Sequence, residues 1–131
     1  LIAHGTVRHI DLDEALEIVR IAEAQGPVHN VDNCEGEIGS VCNCCPCCCP
    51  TLRGVLEFQR PTVVAHSDFR ATVDETACAG CGDCIERCHF HALSLPEDVC
   101  VVDHTRCMGC GHTSSGCCRV TIVDRSPHRR P

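Results

Sequence analysis

The stretch Cys78-Ala-Gly-Cys81-Gly-Asp-Cys84-Ile-Glu-Arg-Cys88 sets four cysteines at a C-x2-C-x2-C-x3-C pitch, and it recurs downstream. Cys107-Met-Gly-Cys110-Gly-His-Thr113-Ser-Ser-Gly-Cys117 superposes on it at a constant offset of 29 residues, pairing 78 with 107, 81 with 110, 84 with 113 and 88 with 117. The match continues upstream, where Val73-Asp74 meets Val102-Asp103 and Thr76 meets Thr105, and Gly80 and Gly82 meet Gly109 and Gly111. This is an ungapped internal duplication. It departs from itself at one chemically decisive place, Thr113, where the first copy has Cys84.

The pitch has a mechanical reason. Three thiolates at C-x2-C-x2-C wrap a short loop around three corners of an iron–sulfur cubane, and glycines between them let the backbone curl closely and aim N–H groups at sulfide. Structural zinc uses paired C-x2-C units set far apart and does not need a third and fourth cysteine at this spacing. Disulfides across such tight loops remove little chain entropy. No signal peptide opens the chain, which leads us to expect a reducing compartment, where disulfides are rare. Iron–sulfur binding is therefore expected ahead of zinc, and zinc ahead of disulfides.

Residues 70–124 resemble a bacterial-type ferredoxin domain built as a tandem repeat around two [4Fe-4S] clusters. In such domains the fourth cysteine of each run ligates the other cluster. The resemblance implies Cys78, Cys81, Cys84 and Cys117 for the first cluster and Cys88, Cys107 and Cys110 for the second, with Thr113 at its remaining ligand position. That leaves a [3Fe-4S] cluster, a cubane with water or a hydroxyl on one iron, or rescue by a spare thiol, of which Cys100 and Cys118 are nearest. The proline usual after the fourth cysteine is absent, with His89 and Cys118 in its place.

The repeat predicts an α+β fold, a ferredoxin-like tandem βαβ arrangement around the clusters, with an N-terminal helix and a Cys-rich loop before it. Phe69, Ala71 and Val73 alternate ahead of the first loop, as do Val99 and Val101 ahead of the second. Short apolar pieces, Ala92-Leu93-Ser94-Leu95 and Val120-Thr121-Ile122-Val123, follow the fourth cysteines and read as strands. One helical turn is expected at Asp83–Cys88, and a turn at Pro96-Glu97-Asp98. Two segments are expected: 1–60, a helix plus a metal-binding Cys-rich stretch, and 61–131, the two-cluster domain. Removing iron should unfold the latter.

Upstream, residues 11–25 form an amphipathic pattern with Leu12, Ala15, Leu16, Val19 and Ala22 on one stripe, widened by Ile18 and Ile21. Asp11 and Glu14 resemble a capping box, and Gly26-Pro27 stops the helix. The helix is expected to dock on the body of the protein. Next come Cys34, Cys42, Cys44, Cys45, Cys47, Cys48 and Cys49, seven thiols too crowded to share one core. Adjacent-cysteine disulfides are strained, and thiolates select soft metals. A third iron–sulfur cluster is expected, with a thiolate zinc or copper site as the alternative. Cys42, Cys45 and Cys48 hold the cubane pitch, and Cys44 and Cys47 a competing register. The pattern from Val41 to Gly54 also resembles a cysteine-rich segment that precedes ferredoxin domains in certain anaerobe iron–sulfur proteins, with Val28-His29 before it and Asp68-Phe69-Arg70-Ala71 after it.

Of the nine histidines, His89, His91, His104 and His112 lie in the cluster loops and are expected on the surface or behind the ligands, tuning potential through hydrogen bonds. His112 carries the sharper alternative, coordination of iron beside position 113. Asp83 is expected to face solvent.

Composition bounds the function. Sixteen cysteines, three phenylalanines and no Trp or Tyr leave little bulk for an ordinary core, so metals are expected to supply folding energy. The net charge is −7, and all 11 basic residues are arginine. No basic stripe exists to neutralise phosphates, which argues against nucleic acid, and no apolar run is long enough for a membrane span. No nucleophile–base pair, paired-carboxylate site or phosphate loop is evident, so the chain is not expected to be an enzyme by itself. The expectation is a cytoplasmic electron-transfer protein, or an electron-wire subunit of a larger oxidoreductase, docking on a basic partner surface. The competing readings are a redox sensor or catalyst with an open iron at Thr113, and a thiolate metal-binding module.

Overall fold

The computed structural model describes residues 1–32, 36, 38–65, 67–117 and 119–124. The architecture is α+β, a mixture of short helices and small antiparallel sheets. Helix α1 spans Leu12–Gln25; Asp11 caps it by accepting from the Glu14 N–H at 2.8 Å, and Gly26 ends it in the left-handed conformation at φ 96°.

The amphipathic face of α1 does not dock as expected. Only Ala22 is buried, whereas Leu12 is 72% exposed and Leu16, Ile18 and Ile21 are all over 40% exposed. The helix touches the body chiefly near its C-terminal end, where Gly26 approaches His112 and its carbonyl meets His89. Amphipathicity selects a face but not a cover.

The Cys-rich stretch is more ordered than a loop. Strand β1 (Val28–Val31) pairs antiparallel with β2 (Val41–Cys44), in register from Val28↔Cys44 to Val31↔Val41. A turn over Cys45–Cys48 then feeds α2 (Pro50–Leu56), whose proline occupies a position where the first-turn N–H is unpaired anyway. The β-branched Val28, Val31 and Val41 favour the hairpin, and the prolines at 46 and 50 confine the turn.

Strand β3 (Phe69–Val73) pairs with the distant β6 (Val120–Asp124), from Phe69↔Asp124 to Val73↔Val120. Between them lie helix α3 (Asp83–Arg87) and the hairpin of β4 (Leu93–Ser94) with β5 (Val101–Val102). The hairpin turn at Pro96–Asp98 uses left-handed Glu97 and Asp98, at φ 51° and 61°.

The sequence duplication has a conformational counterpart. Asp74 caps its turn by accepting from Thr76 N–H and Oγ1 at 3.1 and 2.7 Å, and Asp103 does the same with Thr105 at 2.9 and 2.6 Å. Gly80 and Gly109 share φ values of 66° and 69°, and Gly82 and Gly111 share 83° and 79°.

Two apolar clusters hold these pieces together. One gathers Ala71, Cys84, Ala92, Leu93, Cys100, Cys107 and Val120. The other joins Val28 and Leu52 to Phe90 and Met108, so residues 1–60 and 61–131 share buried surface.

Candidate metal centre

Two cavities lie along the cysteine loops. The first, about 250 Å³, is lined by Cys78, Cys81 and Cys84 from the first loop, by Cys117 from the second, and by Cys100. It thus brings together the four residues expected at the first site. Helix α3 presents Cys84 on its buried side, while Cys81 is exposed and Asp83 faces solvent at the rim. The Cys100 N–H donates to Cys78 Sγ at 3.4 Å, and the Cys84 and Cys100 sulfurs lie 3.4 Å apart.

Burial dominates the electrostatics. It pushes the Cys84 thiol up, and it pushes Cys100 to about 12 with further help from the neighbouring thiols. Both are neutral thiols at pH 7 unless a metal draws off the proton, which is how thiolate sites form.

The second cavity is lined by Cys88, Cys107, Cys110 and Thr113, with Ala71, Phe90 and Met108 among its walls. Its volume is about 20 Å³, enough for one water. Burial pushes Cys110 up, and the Ala92 N–H donates to Cys88 Sγ at 3.4 Å. Thr113 is buried at the wall where the first copy of the repeat has its third loop cysteine.

Cys100 is the residue that sequence reasoning misplaced. It was a candidate to rescue position 113, yet β5 follows it directly and the fold carries it to the first cavity. The signal was present: the offset of 29 maps Cys100 onto Ala71, not onto any ligand position. Cys118 and Cys34 lie outside the described residues.

His112 does not line the second cavity. It is 8% exposed, and its ring stacks on His89 with centroids 5.1 Å apart and planes within 6°. His89 Nε2 bonds the Gly26 carbonyl at 2.8 Å, so the pair sits under the end of α1. Among the described residues His112 Nδ1 is buried without a hydrogen-bond partner, and desolvation, reinforced by Arg87 and His89, lowers its pKa. The ring therefore stays neutral near pH 7. His91 and His104 are exposed.

In the Cys-rich stretch Cys45 and Cys47 are joined by a disulfide, which takes both out of the set of free thiols. Cys42, Cys44, Cys48 and Cys49 remain free. Cys49 sits at the start of α2, where the Leu52 N–H leads a set of donors that lower its pKa. Burial and the adjacent Cys49 raise Cys44 to about 11. The two shifts run in opposite directions, leaving Cys49 the readier thiolate. Cys44 and Cys49 also border the apolar cluster of Leu52, Phe90 and Met108 that Cys88 and Cys110 touch from the other side.

Among the described residues, no three Cys, His, Asp or Glu side chains gather closely enough to hold a single metal ion. No helix among them is long and apolar enough to cross a membrane. No family model, no curated protein and no solved structure matches the chain.

Proposed function

We propose that this chain is an iron–sulfur electron-transfer protein with a ferredoxin-like tandem arrangement, whose first site, at Cys78, Cys81, Cys84 and Cys117, holds a [4Fe-4S] cluster. One observation carries the reading: two loops far apart in sequence send these four thiols to the wall of one cavity. The donor set fits, being all thiol at the C-x2-C-x2-C pitch with the fourth member crossing from the other loop. The space fits too, since about 250 Å³ exceeds the ~30 Å³ share of one water several-fold. A single zinc ion would draw four sulfurs to ~2.3 Å from one centre, a tighter grouping than this wall offers.

When bound, the cluster supplies one-electron chemistry. The chain's own residues do the rest. Cys84 holds its corner of the site away from water and Cys117 is half-buried, Gly80 and Gly82 allow the loop to turn around it, and the Cys100 N–H bonds the Cys78 sulfur. Hydrogen bonds to ligand sulfur and the net charge of −7 act in opposite directions on the potential, with negative charge disfavouring the reduced state. The same charge suits a basic partner surface.

The second site does not fit a four-iron cluster as it stands. Three thiols and one hydroxyl surround a 20 Å³ cavity. No electron step is drawn through it; this one-water space admits neither a cubane nor a [3Fe-4S] cluster, and the incomplete cluster expected there requires the loop of Cys107 and Cys110 to open. Cys42, Cys44, Cys48 and Cys49, four free thiols within one turn and its flanks that do not yet gather around one point, are proposed as a separate cluster or soft-metal site that forms only when metal draws them together.

The test is electron delivery. Anaerobically reconstituted protein, reduced with dithionite and desalted, is mixed by stopped flow with oxidised cytochrome c, and only the fast phase is counted, ahead of the slower reaction of free thiols. The proposal predicts at least one electron delivered per chain and none from the chelated apoprotein. Equal, near-zero delivery from both would overturn it.

A further inference from the structure

The first cavity holds one thiol more than its four proposed ligands, and the second holds one fewer. Cys100 is 2% exposed, lines the first cavity, and lies with its sulfur 3.4 Å from that of Cys84. The offset of 29 sends Cys100 to Ala71, and Ala71 is buried at the wall of the second cavity. The two residues occupy equivalent wall positions, one offering a thiol and the other a methyl group. A thiol at Cys100 is therefore not a packing requirement of the fold, because its structural twin is satisfied by alanine.

Its neighbour narrows what the extra thiol can do. Cys84 is the third cysteine of its loop, the member that Thr113 replaces in the second copy. It is buried, as is Cys100, whereas Cys81 is exposed. The two sulfurs thus reach the same buried end of the cavity.

We infer that Cys100 is an alternate ligand of the first site, exchanging with Cys84 at one iron corner. The inference rests on the cluster proposed for that cavity. The exchange is a substitution without redox change. The bond from iron to Cys84 Sγ breaks, a bond from iron to Cys100 Sγ forms, and the proton of Cys100 passes to Cys84, so charge and electron count are conserved.

Four proteins test it, each reconstituted anaerobically with iron and sulfide: wild type, Cys100→Ala, Cys84→Ala and the double variant. Iron and acid-labile sulfide per chain are counted, and EPR spectra are taken after dithionite reduction. Cys100→Ala should keep the wild-type count. Cys84→Ala should also keep it but with shifted g-values, and the double variant, left with three cysteines as the second site is, should lose at least one iron and the first site's reduced-cubane EPR signal. If Cys84→Ala loses as much as the double variant, or if the double variant loses nothing, Cys100 is not an alternate ligand and the electron-transfer reading still stands. If the wild type binds no iron, that reading fails first and takes this one with it. Cys84→Val, apolar and unable to ligate iron, replaces Cys84→Ala should the alanine variant not fold.

Discussion

Gly109 and Gly111 form a matched pair whose backbones share a conformation while their surroundings differ. Both lie in the left-handed region, at φ 69° and 79°. Alanine at either position carries the left-handed penalty of roughly 1–2 kcal/mol. At Gly111 the added methyl meets only Ile122 Cγ1 at 3.9 Å, an ordinary contact, so that penalty is the whole cost. At Gly109 it would run into the backbone carbonyl of Phe69 and lie 3.1 Å from Ser67 Cβ. That carbonyl belongs to the first residue of β3, which pairs with β6, so it cannot swing aside as a side-chain tip would. Either the loop bearing Cys107 and Cys110 or the strand must move, adding an overpacking cost of about 1–3 kcal/mol. Taking about 4 °C per kcal/mol for a chain of this size, Gly111→Ala lowers Tm by roughly 4–8 °C and Gly109→Ala by roughly 8–20 °C. The assay is anaerobic thermal unfolding followed by circular dichroism, with metal content matched between samples. Equal shifts, or a larger one for Gly111→Ala, would refute the reasoning, because close approach to β3 would then carry no energetic weight.

Leu52 is 1% exposed between α2, Phe90 and Met108, so Leu52→Ala should cost about 2–5 kcal/mol in denaturant unfolding; a loss under 1 kcal/mol would mean the two segments do not share that core. Thr113→Cys restores the repeat at the second cavity and should raise iron per chain without altering the first site's EPR signal; an unchanged iron count would show that the missing thiol is not what limits that site. The carboxyls of Asp74 and Asp103 are held below their ordinary range, chiefly by the hydroxyls of Thr76 and Thr105. With folded pKa values depressed, their stabilisation is present above the unfolded value and is lost as pH falls through the folded one, so the double Asp→Asn variant should show a weaker loss of stability on acidification than wild type. Electron delivery to a basic acceptor protein should slow as salt rises, and a rate independent of ionic strength would remove charge from the docking account.

How much of this was legible in the sequence differs from element to element. The offset of 29 foretold not only the loops but their matched Asp–Thr turns and left-handed glycines, because both copies solve the same local problem of turning the backbone back on itself. Asp11 and Gly26 marked both ends of α1, since capping is settled within a few residues. Whether anything covers Leu12, Leu16 and Ile21 is a tertiary question, and periodicity is silent on it. The β1–β2 pairing was hidden because a strand partner thirteen residues away leaves no periodic trace in a stretch dominated by cysteines. His112 looked like a neighbour of the second site in sequence, but burial against Gly26 and stacking on His89 turn it elsewhere. At Cys100 alternation named the wrong face: Val99 and Val101 were the expected apolar positions, yet Val101 is 45% exposed and Cys100 is buried, and only packing names the cavity it meets.

The most direct measurement is iron and acid-labile sulfide per chain after anaerobic reconstitution of wild type and of Cys117→Ala. The account predicts at least four irons and four sulfides in wild type, with loss of the first site's EPR signal when the cysteine contributed by the second loop is removed. Zinc without sulfide in the wild type, or a full signal in Cys117→Ala, would contradict a cluster held jointly by the two loops.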